Sequence, residues 1–182
     1  MFLGMAPFLL AHIPLESKLF LNRVMKDEVR TDGSSTFIKC RFEECSMTEE
    51  GALISTGDHE LCVEKTEFVN CSTRTHCAGL KKVDGALILD CCTFNECHGE
   101  DGNRDMLGSA MGTSNSNVKC EDITFTWCWK QANPFADSVY GLNWGKADVK
   151  GINCSHCISR WGGLTGSFLN VEENAPIRYL QG

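Results

Sequence analysis

The chain is poor in the residues that interrupt regular structure or mark common functions. It has four prolines and two tyrosines in 182 residues, and no apolar run approaching the roughly 18 residues a membrane helix needs. Positive charge is not in excess: 17 Lys and Arg stand against 24 Asp and Glu, a net charge of −7 with a pI near 5.2. That balance gives no footing to a nucleic-acid partner held through its phosphates. There is no phosphate loop, no dinucleotide fingerprint and no serine or cysteine in a nucleophile setting. Met1 to Leu15 is apolar, but Pro7, His12 and Pro14 interrupt it and no basic n-region precedes it. It reads as a cap or packing arm rather than a signal peptide.

Cysteine, by contrast, is abundant. The chain has twelve, too long a chain around them for a small disulfide-stapled scaffold. Most recur at fixed positions, as buried apolar residues would, and free cysteine behaves as a small hydrophobe. Reduced, buried thiols lean toward an intracellular setting, with the cell surface as the alternative.

Their positions follow a repeat. Phe42-Glu43-Glu44-Cys45 returns as Phe68-Val69-Asn70-Cys71, Phe94-Asn95-Glu96-Cys97 and Phe125-Thr126-Trp127-Cys128. A fifth copy, Cys154-Ser155-His156-Cys157, replaces the phenylalanine with cysteine. The last cysteines are 26, 26, 31 and 29 residues apart, a range that marks a solenoid. Eight residues before each stand Phe37, Val63, Leu89, Cys120 and Val149. Ile54, Leu80, Met111 and Tyr140 each precede the next member of that column by nine, which puts every departure from 26 just after the anchor cysteine. Period-2 alternation predicts short strands, three to five residues long, with Cys40 and Phe42 inward and Arg41 outward. Three short strands in about 26 residues fit one coil of a parallel β-helix.

The expected fold is therefore all-β: a right-handed parallel β-helix solenoid of about 5–6 coils of about 26 residues. Stacked phenylalanines (Phe42, Phe68, Phe94, Phe125) and cysteines (Cys45, Cys71, Cys97, Cys128, Cys157) form its internal ladders. Residues 1–30 make an N-terminal cap or arm and 31–182 the solenoid. Within the cap, Leu15, Leu19, Phe20, Val24 and Met25 fall near helical spacing after Pro14, so a covering helix is expected, with a strand over Lys18 to Val24 as the other reading. Residues 176–180 have lost the register and read as a last strand or exit.

Phe-x-x-Cys, with Asn70 before Cys71, followed six residues after Cys45 by Gly51-Ala52-Leu53-Ile54, resembles the repeats of polymorphic outer membrane proteins and adhesin-like β-helix proteins. Gly162-Gly163-Leu164-Thr165 keeps the double glycine of that pattern. The resemblance covers about residues 36 to 165. It implies a right-handed β-helix and a surface or adhesive role.

Two outward columns differ from the uniform inner ones. One reads Glu44, Asn70, Glu96, Trp127, His156, and the other Ser46, Ser72, His98, Trp129, Ile158. Trp127 and Trp129 adjoin the two insertions, residues 98–107 and 129–136. Together these form an expected raised lip carrying His98, Glu100, Asp101, Arg104, Asp105, Lys130 and Gln131, suited to binding protein or sugar. The bland reading is that the tryptophans cover their own coil. Zinc ligands can be drawn from Cys92, Cys97, His98, Cys154, His156 and Cys157, but the cysteines belong to inward columns and do not converge. No metal or cofactor is expected. The function expected is a non-catalytic structural or protein-interaction solenoid, bound by other proteins through an open coil end or the lip. A cell-surface adhesin-like module is the alternative. A polysaccharide lyase or hydrolase is a second one, with Glu100, Asp101 and Asp105 as its only candidate carboxylates.

Overall fold

A computed structural model describes residues 18–47, 51–73, 77–99, 110–130, 140–159 and 169–171. These residues are all-β and contain no helix. They form a 14-stranded sheet and a 5-stranded sheet, and every pairing in the larger sheet between successive repeats is parallel. The larger sheet curls through 314°, an arrangement compatible with a β-solenoid.

The repeat register is visible residue by residue. Phe42 pairs with Phe68, Phe68 with Phe94, and Phe94 with Phe125. Their rings stack at 4.8, 4.7 and 5.0 Å between centroids, close to the separation of hydrogen-bonded strands. All four are buried, and each contributes roughly 1.5–3 kcal/mol by leaving water. Gly79 borders this column: a Cβ there would meet the Phe94 ring and the Ala110 carbonyl at 2.8 Å. The ring column thus sets the size of its neighbour.

The chain turns its corners through left-handed backbone. Asn22, Lys39, Lys65, Cys91 and Asp122 hold one column of positive φ, between 47° and 53°, and Gly151 continues it at 60°. Glu44, Asn70, Glu96, Trp127 and His156 hold another, between 50° and 56°. At corner after corner the N–H bonds forward to the next repeat, as in Lys39 to Glu64 O and Lys65 to Asp90 O at 2.9 Å, and Asn70 to Asn95 O at 2.9 Å. Two residues later the N–H bonds backward, as in Glu67 to Cys40 O and Ser72 to Cys45 O at 3.0 and 2.9 Å. The ladder therefore continues around the bend with its donors satisfied.

Three expectations need correction. Residues 18–31 are strands, not a helix: Lys18–Leu21 pairs with Ser35–Ile38, Val24–Met25 with Arg41–Phe42, and Val29–Thr31 with Leu53–Ser55. A helix would leave the edge of Ser35–Ile38 without partners, whereas Lys18 N and Asn22 N reach Ser34 O and Ile38 O at 3.0 and 3.1 Å. Phe20 also stacks on Phe37 at 4.4 Å. This first turn is shortened, because Met25 and Val29 are four residues apart where their partners Phe42 and Leu53 are eleven apart.

Second, Leu80 pairs with Leu53 and not with Ile54. The constant nine-residue step fails there, and one extra residue sits at the corner that carries Gly57, whose φ is 93°. Lys82 of the next repeat is buried at that corner and its Nζ donates to Gly57 O at 2.9 Å. Burial lowers the Lys82 pKa from the ordinary lysine value. Third, not all strands are short. Met111–Thr126 and Tyr140–Ser155 are unbroken strands of 16 residues that run around the corners and pair along nearly their whole length.

Phe68→Ala is expected to lower stability by about 3–5 kcal/mol in chemical denaturation, because a ring stacked on both faces leaves a closed cavity. A loss below about 1 kcal/mol would remove the ring column from the account of stability.

Candidate functional site

The inward anchor cysteines turn the residues on either side of them outward. Around Cys128 these are Trp127 and Trp129, on the two sides of a corner. Trp129 lies in the five-stranded sheet, where Ser46, Ser72, His98, Trp129 and Ile158 stand in register on successive strands. Its ring stacks on His98 at 4.6 Å with 7° between planes. Trp127 stacks on His156 of the following repeat at 4.3 Å and 13°. The His98 ring is oriented from below, its Nδ1–H donating to the Glu96 carbonyl at 3.1 Å.

Two tryptophans and two histidines are thus held in paired stacks, Trp127 on His156 at the corner and Trp129 on His98 in the short sheet beyond it. Trp127 keeps 51 % of its surface exposed and sits at φ 54°, a conformation that costs a non-glycine residue of order 1–2 kcal/mol. The same column holds Glu44, Asn70 and Glu96, all exposed. Lys130 shares the strand with Trp129. Glu100, Asp101, Arg104, Asp105 and Gln131, the other residues expected on the lip, lie outside the described residues. The ring contacts involve outward columns that the repeat spacing places next to each other. The left-handed corners carry no such signal, since Lys, Glu, Cys and Trp hold positions usually taken by Asn or Gly.

The sequence also pointed to the cysteines. Cys71, Cys97 and Cys128 turn inward, and their thiols contact the carbonyls of Phe42, Phe68 and Phe94 one repeat back, at 3.7, 3.5 and 3.4 Å. Cys92 does the same toward Val63 O at 3.4 Å. Cys92 and Cys97 therefore face the interior while His98 faces Trp129, and they do not converge on one ion. Among the described residues no group of three or more His, Cys, Asp or Glu is placed to hold a metal. The eleven cysteines whose side chains are described are free thiols. Burial pushes Cys92 up to about 12. It does the same to Cys62, also to about 12, with the Glu60 carboxylate adding to the effect. Cys97 lies well above the ordinary thiol value, first through burial and then through its neighbours Cys128 and Cys71.

A polar depression of about 350 Å³ lies at the corner that carries Gly57, lined by Asp58, Asp84, Gly85, Asn115 and Asn117. Asn115 Nδ2 donates to Asp84 Oδ1 at 2.7 Å. Sequence reasoning did not single out these residues, because they hold a corner where Asp, Asn and Gly are ordinary turn formers. Among the described residues no helix is long and apolar enough to cross a membrane.

Comparison with protein-family models finds no match to this chain, and comparison with curated proteins finds none either. The resemblance to polymorphic outer membrane protein repeats rests on the repeat phrases themselves.

Two outcomes follow from this geometry. Trp127→Asn is expected to leave the melting temperature unchanged or to raise stability by up to about 1 kcal/mol, since asparagine accepts the left-handed corner. A loss above about 1 kcal/mol in a thermal melt would show that Trp127 serves its own coil. Native thiol labelling at pH 8 is expected to modify Cys91, the exposed cysteine, ahead of the ladder thiols. Its pKa is raised, first by its hydrogen bond with Asp90 and next by burial. The thiolate is therefore scarcer than for an ordinary cysteine, and labelling should still accelerate above pH 9. Equal native labelling of Cys91, Cys71 and Cys97, read by mass spectrometry, would remove the buried thiol column.

Proposed function

We propose that the chain is a right-handed parallel β-helix of about five to six coils that serves as a non-catalytic structural and protein-interaction solenoid, presenting a rigid wall to partner proteins. Two things support the helical winding. The left-handed corners recur in columns from repeat to repeat, and each inward position meets its counterpart one strand away. The first turn, beginning at Lys18, adds a coil ahead of the recognisable repeats.

The interaction role rests on Trp127. A bulky ring in a costly backbone conformation, stacked on His156 yet half exposed, serves its own coil poorly. Exposed aromatic side chains on a rigid support are the usual anchors of protein interfaces. Around Trp127, inward regularity serves stacking while outward residues vary.

The open end is a second place for partners. Among the described residues the Lys18–Leu21 strand pairs on one side only, with Ser35–Ile38. Leu19 and Leu21 within it and Val24 after it are exposed. An edge of that kind takes an added strand.

The double variant Trp127→Ala/Trp129→Ala separates the wall from the open end. Proteins that co-purify with the wild-type chain are expected to be lost from the variant, whose circular dichroism should stay that of the wild type. Unchanged association by a folded double variant would take the wall out of the proposal and leave the open end.

A further inference from the structure

The ring stack on the short sheet ends abruptly. Trp129 lies over His98, and the centroid distance of 4.6 Å is the strand spacing, so each ring covers its neighbour along the stacking direction. The opposite face of His98 turns toward the next strand down, whose residue in register is Ser72, followed by Ser46. Both are small, and their hydroxyls hydrogen-bond to each other at 3.3 Å. Ser72 is half-buried and Ser46 exposed. Two serines thus form a low floor next to the face of the anchored imidazole that, among the described residues, no other ring covers.

Charge then selects the occupant. The neighbouring column beside this floor is Glu44, Asn70 and Glu96, all exposed, and among the described residues Glu44 alone of them has an ion pair, with Lys26 at 3.6 Å. A sugar would have one small imidazole face and little else apolar. A planar cation can stack on the ring beside a column whose exposed members include Glu96. Guanidinium is flat, weakly hydrated and a good stacking partner, whereas ammonium is compact and strongly hydrated.

We propose that this step in the ring column is a docking slot for an arginine side chain of a partner protein, the guanidinium stacking on His98 above Ser72 and Ser46 and facing Glu96. The proposal rests on the interaction reading above and names its partner chemistry.

The probes are a tetra-arginine and a tetra-lysine peptide of equal charge, titrated at physiological salt and followed by tryptophan fluorescence and by the His98 ring resonances. Tetra-arginine is expected to bind at least about fivefold more tightly. His98→Ala should bring that ratio to about one while leaving the weaker charge-driven binding. Ser72→Phe, which covers that face of His98 from within, should abolish the preference in a folded chain, and Glu96→Gln should weaken both peptides. Equal affinity for the two peptides, an arginine preference that survives His98→Ala, or no binding of either peptide at millimolar concentration would each overturn the slot. If partners are lost from the tryptophan double variant while no arginine preference exists, the interaction wall stands and the slot fails. The two readings are therefore separable.

Discussion

Everything in this molecule depends on one constraint: a residue must be compatible with its counterpart one strand away. Parallel strands in register place identical positions within about 5 Å of each other, along the whole stack. A single unsuitable residue inside therefore meets two neighbours rather than one. The phenylalanine column satisfies this with like on like, and its rings keep nearly parallel planes, 7°, 3° and 19° apart. Where the phenylalanine gives way to Cys154, the register itself does not change, since Phe125 still pairs with Cys154. Backbone pairing and side-chain stacking reinforce each other, but the backbone carries the register past a substitution.

The corners show what that register costs. Each left-handed residue other than glycine carries of order 1 kcal/mol or more of backbone strain. The strain persists because the corner N–H points at the next repeat's carbonyl, as Cys91 does to Glu121 O at 3.0 Å and Trp127 to Ser155 O at 3.1 Å. Straightening any corner would break its own bond and the bonds of the repeats beside it. The extra residue at the Gly57 corner shows the reverse case, where the Gly57 carbonyl leaves the ladder and accepts instead from His59 N–H at 2.8 Å and from the buried Lys82 Nζ at 2.9 Å.

The parts legible in the sequence were those where side-chain identity repeats. The Phe and Cys columns, their inward direction and the outward columns with Trp127 and Trp129 could all be found by spacing. What stayed hidden was carried by backbone. Residues 18–31 match the repeats at Phe20 and Met25, but the shortened connection brings them 17 residues before Phe37 and Phe42, off the common period. Leu15, Leu19 and Phe20 then mimic a helical face. The Leu53 to Leu80 register escaped because Leu53 and Ile54 are both apolar and both buried. Residue type could not choose between them. The left-handed corners escaped because Lys39, Lys65 and Cys91 adopt them for their hydrogen bonds, against their own preference.

The same constraint explains where recognition can arise. An inward position is tied to its neighbours above and below, so the columns inside are nearly uniform. An outward position is tied only by its backbone, so Glu44, Asn70, Glu96, Trp127 and His156 can share one corner conformation with five different chemistries. Such a column changes character along its length without disturbing the core. The short sheet passes in this way from serine hydroxyls to stacked rings within two strands, at Ser72 and His98. A boundary of that kind, rigid beneath and chemically stepped above, sets a polar floor beside an aromatic face at a fixed separation. The fold itself makes that separation one strand spacing, and so favours flat groups over bulky ones.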